Sequence, residues 1–419
     1  MENRLPDTTS VANARFVCSC PRAARSACKG EPFYGESNGR QYCVLHYPDE
    51  KDTARFKRAV IRKLGAHDYD FASVSFPAKQ RFSKVEFTSR ANFVLAVFKG
   101  RVSFRKARFA KATFFNGATF IRGVNFAQVK FGEGVNFTDA TFVDRADFQY
   151  AHFYGEVDFT GTEFRSPVKF YGATFKGQVR FARTRERLNI IHSMDLQFAR
   201  IEKPDLIYFH TLDASPTWFL NVDVRRFDFV NVKWDRRSIK DQIERLDARN
   251  IQSPHRLLAI AYRRLAVNAE ENHRYEEASG FRLKAMEAGG LARGQGLELR
   301  ALTWCYKEVS GYGEQVWRAL LVLLAILVIF AALYTRVGFS QWEPEITSET
   351  DLATVKRDEV GAPLTLSRAL TYSAAVMTFQ QPDPRPATTA ARALVVTETI
   401  LGPLQAALLA LAIRRKFMR

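Results

Sequence analysis

Phenylalanine recurs along the middle of this chain at 71, 76, 82, 87, 93, 98, 104, 109, 114, 120, 126, 131, 137, 142, 148, 153, 159, 164, 170, 175 and 181, in steps that alternate between five and six residues. The alternation slips once, at the Phe114-Phe115 doublet. In 18 of these 21 units the residue two places before the Phe is Ala or Val, so each unit offers one small and one large apolar side chain. A helix cannot use this spacing. A step of five or six turns it by roughly half a turn beyond whole turns and puts successive rings on opposite faces. A plain strand fails too, because its period of two is not sustained. What fits is a short strand, a turn, and repetition, with stacked coils burying a continuous column of Phe and Ala or Val.

Units such as ATF, VNF, ADF and VDF resemble the pentapeptide-repeat family in its Phe-centred variant. The resemblance covers residues 71–181 and, more loosely, 195–235. It implies a right-handed quadrilateral β-helix of about five regular coils, four units to a coil, capped by degenerate coils. It does not name a function. The best-known members mimic DNA with an acidic surface, and this chain departs from them. Residues 71–130 hold 12 Lys or Arg against Glu86 alone, while residues 131–181 hold 5 Lys or Arg against 7 acidic residues. DNA mimicry is disfavoured, and one end of the β-helix carries a positive field, in keeping with a net charge of +18. Arg101, Arg105, Lys106, Arg108 and Lys111 are its candidate docking face for anionic lipid, nucleic acid or an acidic protein. No interleaving of aromatic and basic residues singles out nucleic acid, so that partner is not favoured.

Four of the five cysteines fall within the first 43 residues, as Cys18-x-Cys20-x7-Cys28-x14-Cys43-x2-His46. No apolar signal run precedes them, so a reducing compartment and a metal fit better than disulfides. Zn²⁺ asks for four N or S ligands in a tetrahedron. Cys43 and His46 form a close pair, Cys28 adds a third ligand, and Cys20 is the expected fourth, with Cys18 as the alternative. No ligand position is left open to water, so the expected zinc is structural. The stretch QYCVLHYPDEKDTARFKRAVIRKL also looks like a Cys/His module that precedes pentapeptide repeats in related proteins. The remaining cysteine, Cys305, lies between Trp304 and Tyr306 and reads as a core residue.

Residues 255–288 read as two amphipathic helices whose Tyr262, Ala266, Tyr275, Ala278 and Phe281 resemble one tetratricopeptide-like hairpin. Beyond them, residues 319–335 and 393–413 are apolar runs bounded by Arg318 and Arg336 and by Arg392 and Arg414. Each is long enough to cross a bilayer. Arg414, Arg415, Lys416 and Arg419 place the C-terminus in the cytosol, and two spans then place the N-terminus there too.

Residues 364–379 form a shorter apolar helix just before the second span. This order resembles the pore module of prokaryotic two-transmembrane ion channels, potassium channels among them. Ser367 to Phe379 matches the re-entrant pore helix, and Glu398-x3-Gly402, followed by Pro403, matches a gating inner helix with a hinge. Tyr312-Gly313-Glu314 before the first span also recurs in repeat proteins that carry the module. The resemblance implies a homotetramer around a cation path. At the filter position stand Thr378, Phe379, Gln380, Gln381, Pro382 and Asp383, with no glycine to turn carbonyls toward an ion. Potassium selectivity does not follow; Gln380, Gln381 and Asp383 would ring a wider, weakly cation-selective mouth. Glu398, costly inside a span, is expected to face the pore or pair with Arg392.

No nucleophile–base pair, phosphate-cradling glycine loop or paired carboxylates stand in a recognisable frame, so an enzyme is not expected. The expected organisation is multi-domain: a tail at 1–15, a Cys/His zinc module at 16–66, the β-helix at 67–237, a helical linker at 238–315 and the two-span pore module at 316–419. The leading expectation is an ion-channel-like protein of the inner cell membrane with both termini cytoplasmic, contacting lipid and cations. A non-conducting, membrane-tethered scaffold is the alternative.

Overall fold

The computed structural model describes residues 16–184, 191–291, 297–311, 315–344 and 355–417. The chain divides into two compact units, Met1–Glu271 and Asn272–Arg419.

The first unit is built on a β-solenoid of about seven turns with four flat sides. Each side is a parallel sheet of strands that are two residues long except for three longer ones at the far end of one side, and the sheets hold seven, five, six and six strands. The register is constant: Thr119 pairs with Val97 on one side and Thr141 on the other, a step of 22 residues. One coil is therefore two five-residue and two six-residue units. The rings follow the backbone. Phe76, Phe98, Phe120 and Phe142 stack with centroids 4.5, 4.8 and 4.7 Å apart and planes within 6°. That spacing is the strand separation of a β-sheet, about 4.8 Å. Rings from neighbouring sides meet edge to face, as Phe98 and Phe104 do at 83°, an arrangement aromatic quadrupoles favour.

The backbone accounts for the apparent slip at Phe114-Phe115. Phe115 is fully buried and stacks on Phe93 and Phe137 at 4.9 and 5.0 Å. Phe114 turns outward, where the Arg90 guanidinium lies 4.2 Å from its ring. With Phe115 as the ladder residue, the five–six alternation is unbroken from 71 to 181. The small position of that unit becomes Thr113, whose buried hydroxyl donates to the Lys111 carbonyl at 3.2 Å.

The alternation records two kinds of corner. After every second Phe the chain makes a turn closed by an N–H to carbonyl bond three residues back, as from Ala107 to Phe104 and from Ala118 to Phe115. The third residue of each turn has positive φ: Ser73, Lys84, Leu95, Lys106, Gly117, Gln128, Asp139, Tyr150, Gly161 and Gly172. This is a type II turn. The Asn or Asp preceding the Phe accepts the backbone N–H two residues on, as Asn125 and Asn136 do from Ala127 and Thr138 at 2.8 and 2.7 Å. That bond explains why VNF, ADF and VDF units sit before these corners.

Both ends are covered. At the start, helix α1 (Thr53–Gly65), capped by Asp52 through Ala54 and Arg55 N–H, sets Phe56 edge-on against Phe76 at 5.6 Å. At the far end, α2 (Ile239–Asp247) and α3 (Pro254–Glu271) follow the last strands. The Asn268 side-chain amide donates to the carbonyls of Val224, Arg225 and Phe227 at 3.1, 2.9 and 2.7 Å, and Arg264 donates to Val222. Open edges of stacked coils are thus satisfied rather than left to pair with other chains.

The second unit contains α4 (Tyr275–Gly290), α5 (Leu297–Ser310), α6 (Val316–Tyr334), an antiparallel hairpin (Phe339–Pro344 with Val355–Ala362), α7 (Leu366–Met377) and α8 (Thr389–Phe417). The hairpin lies inside what reads in sequence as a polar loop. Cys305, expected in a core, is exposed on α5, and so is Trp304 beside it, because among the described residues nothing covers that face of the helix. α6 and α8 are long and apolar enough to cross a membrane, and only 17% of each apolar window is buried within the protein. A soluble core helix would be mostly covered. Leu321, Leu324, Val328 and Ile329 of α6 and Val396, Ile400 and Leu404 of α8 are exposed.

Candidate functional site

Three places gather the chemistry that the sequence singles out. The first is metal-like. A short 3-10 helix (Arg22–Cys28) presents Cys28, and the hairpin Phe33–Ser37 with Arg40–Cys43 ends on Cys43, one turn before His46. The ligand atoms of Cys18, Cys28, Cys43 and His46 lie within 4.8 Å of one another. Sulfur pairs are 3.8 Å (Cys18 to Cys43) and 3.7 Å (Cys28 to Cys43), and His46 Nδ1 is 3.0 and 3.3 Å from Cys28 and Cys43. A tetrahedral Zn²⁺ with Zn–S of about 2.3 Å sets its sulfurs about 3.8 Å apart, so the donor set fits zinc. The other ring nitrogen, His46 Nε2, is 2.8 Å from the Ala72 carbonyl, the outer contact that orients a metal-binding imidazole. The Cys43 N–H points at the Cys18 sulfur, 3.4 Å away.

The third sulfur of the four-residue group is thus that of Cys18 and not that of Cys20. Cys20 sits 3.3 Å from Cys28, nearer than two sulfurs sharing one tetrahedral ion, and outside the four-residue group. The reason is the backbone. Ser19 N–H pairs with the Gln41 carbonyl, laying residue 18 along the strand that carries Cys43. Hydrogen bonds from Cys28 and Cys43 hold the Cys18 thiol far below its ordinary range.

The second place is the helical bundle of the second unit. α7 packs between α6 and α8, with Phe330, Tyr334, Phe339, Tyr372 and Val376 in its core. Glu398 is wholly buried there. It accepts a hydrogen bond from Tyr334 of α6 at 2.5 Å and another from Ser373 of α7. The Ser373 hydroxyl also lies 3.2 Å from the Leu327 carbonyl. Glu398 neither faces outward nor pairs with Arg392, whose Nε reaches the Pro386 carbonyl at 3.4 Å. A buried carboxylate is costly unless hydrogen-bonded, and two hydroxyls from two other helices satisfy it. Gly402 also has a packing role: a Cβ there would lie 2.8 Å from the Met377 side chain. The helix assigned to α8 runs on through Pro403. Gln405, also buried, donates to the Ala319 carbonyl at 2.7 Å, a tie that sequence reading missed and that a polar residue on the apolar stripe of α8 could have signalled.

The turn after α7 is exposed at Thr378, Phe379, Gln380, Gln381 and Asp383. α7 ends with Gln380 and Phe379 N–H bonded to the Ala375 and Val376 carbonyls, the pattern usually closed by a left-handed glycine. Here Phe379 adopts φ +58° with its ring 70% exposed. Tyr312-Gly313-Glu314 lie outside the described residues.

The third place is the basic end of the solenoid. Arg101, Arg105, Lys106, Arg108 and Lys111 do not share one side. Arg101 precedes one strand, Arg105 and Lys106 occupy the corner after it, and Arg108 stands on the next strand. Arg108 and Lys111 are also paired, with Glu86 at 3.4 Å and Glu133 at 2.9 Å. A compact docking patch of these five is therefore replaced by a band around one coil, because ten residues run almost half a coil.

A family model for pentapeptide repeats, nine copies long, matches residues 104–152 and 146–185. Among solved structures, trypsin-treated QnrB1, a plasmid-mediated fluoroquinolone resistance protein, is 13% identical and covers 42% of this chain and 96% of its own, with a TM-score of 0.14. No curated protein matches the chain.

Proposed function

We propose that the chain is a non-enzymatic, integral membrane protein whose second unit is a cation-pore module and whose first unit is a pentapeptide-repeat solenoid that localises or gates it. The observation that carries this reading is α7. A membrane anchor needs only its spans. Here a third, shorter helix is wedged between two spans and tied to both through Ser373, Glu398 and the close approach of Met377 to Gly402. The short helix then delivers an exposed polar turn, Thr378 to Asp383, at one end of the bundle. The apolar faces left open on α6 and α8 suit lipid and further copies of the chain. The Arg414–Lys416 cluster puts both termini in the cytosol of the inner cell membrane. In this reading Zn²⁺ at Cys18, Cys28, Cys43 and His46 is structural: it closes the start of the solenoid and takes no part in conduction.

Single-channel recording of the purified full chain in planar bilayers tests the pore. Cation currents are expected, weakly selective, and Asp383→Asn is expected to lower conductance or cation preference. Assembled but electrically silent protein would remove the pore and leave a tethered scaffold. The feature favouring a scaffold is specific: the turn after α7 has no glycine and carries a bulky Phe379.

A further inference from the structure

The cations of the solenoid fall into two groups. Arg108, Lys111, Arg165, Lys176 and Arg180 are neutralised by nearby carboxylates. Of the others, Lys79, Arg101, Arg145 and Lys169 lie along the side built from strands Gln80–Arg81, Val102–Ser103, Val124–Asn125, Ala146–Asp147, Val168–Lys169 and Met194–Asp195. A groove of about 1240 Å³ runs along this side and is closed at one end by residues that follow α2. Lys79, Arg101, Arg145, Lys169 and Arg249 line it, all exposed. Among the described residues none of the five has a carboxylate within 4.0 Å. Asp147 and Asp195 also line it, each with Oδ1 held by the backbone N–H of Gln149 or Gln197 at 3.0 Å. Five cations against two carboxylates leave the lining positive.

The same groove has an aromatic edge. Tyr171 and Phe198 line it, and Tyr150 stands beside them, with successive ring centroids 5.7 and 5.3 Å apart. Phe198 is 53% exposed and Tyr150 48%. Both occupy the left-handed corner of their coils, at φ +58° and +55°, where the coil between them uses Gly172. Glycine takes that conformation without penalty, whereas a bulky side chain is strained there. Most corners of the solenoid take this φ without glycine, so what is particular here is that exposed aromatic rings occupy two of them on one edge. These rings are 21 to 48 residues apart in sequence, and only the stacking of coils makes them neighbours.

We propose that this groove binds single-stranded nucleic acid, with phosphates along the Lys79, Arg101, Arg145 and Lys169 row and bases on the Tyr171–Phe198 edge. Unpaired cations supply the salt-dependent attraction, and exposed rings supply stacking that tolerates any base. A bilayer surface is flat and would leave a groove unfilled; a duplex hides the base faces that Phe198 would stack on. Six strands about 4.8 Å apart give roughly 24 Å of length, the short end of known single-strand sites. The prediction is read by binding and not by current, so it stands or falls separately from the pore.

The test uses the full chain in nanodiscs of zwitterionic lipid and fluorescence anisotropy with a labelled short oligo-dT strand, the same strand in a duplex, and phosphatidylglycerol vesicles as competitor. The strand is expected to bind more tightly than the duplex. Arg101→Glu with Arg145→Glu is expected to weaken it by roughly tenfold or more and to flatten its salt dependence. Phe198→Ala is expected to weaken it about fivefold or more without changing the salt slope. Equal binding of strand and duplex with Phe198→Ala silent would overturn the proposal, as would no binding at low salt. A charge reversal that weakens vesicle binding alone would assign the face to lipid instead. Unchanged thermal unfolding of the charge-reversed protein separates lost binding from lost fold.

Discussion

At the scale of single residues, environment sets roles that residue type leaves open. Cys18 and Cys20 are chemically equal and two apart, yet only Cys18 is laid beside the strand of Cys43, by the Ser19 N–H to Gln41 carbonyl bond, and so joins the four-atom group. Cys18→Ser is therefore expected to abolish stoichiometric zinc in the purified protein, and Cys20→Ser to leave it intact, as read by metal analysis and a thiol-chromophore release assay. Equal loss in both variants would return Cys20 to the ligand set. Glu398 is a similar case. In the sequence it is a charge inside an apolar run; in the fold it is the acceptor that joins Tyr334 and Ser373. Gly402, which reads in sequence as a hinge, is also where Met377 needs room. These roles depend on partners 64, 25 and 25 residues away, which no local pattern encodes.

At the scale of elements, the solenoid is a sum of nearly identical steps, and each ring supports the coils on either side. Phe115 and Phe114 are neighbours with opposite fates. Phe115→Ala opens a cavity in the stack and is expected to cost about 3–5 kcal/mol, whereas Phe114→Ala removes a surface ring over Arg90 and is expected to cost about 1 kcal/mol or less. Denaturant unfolding of the purified protein, followed by the far-UV signal of the solenoid, distinguishes them; equal costs would overturn the placement of Phe115 in the ladder. The existence of a four-unit coil was legible because period and side-chain size repeat together. The corner geometry was only half legible. Asn and Asp before the ring mark the type II turns, but seven of the ten left-handed corners between 73 and 172 carry no glycine, so the usual sign is missing. There the ladder hydrogen bonds of neighbouring coils hold each corner in place and override local preference.

At the scale of the whole molecule, the two units have different stabilising logic. The first is a stack of coils whose ends are capped, at one end by the cysteine–histidine module and α1, at the other by α3. Chelation is expected to loosen the N-terminal module first. Hydrogen exchange after treatment with a strong chelator should speed up across residues 16–66, while amides of the central coils near Phe126 stay protected. Uniform loss of protection would show instead that the cap controls the entire stack. The second unit has a small core around Tyr334 and Tyr372, but only 17% of the apolar window of α6 and of α8 is buried within the protein, which leaves their outer faces to whatever surrounds them. By itself the sequence determined that a Phe-ladder solenoid precedes two apolar helices, that cysteines and a histidine cluster at the start, and that positive charge gathers early in the repeat. Those are matters of period, length and composition, which the linear chain displays. Only the tertiary structure decided which sulfur joins the cluster, that Glu398 is held inside its own unit, that Phe115 and not Phe114 fills the ladder, and that Tyr150, Tyr171 and Phe198 line up beside unpaired cations. Each of these depends on contacts between residues a coil or a helix apart, where a shift of one position exchanges inside for outside.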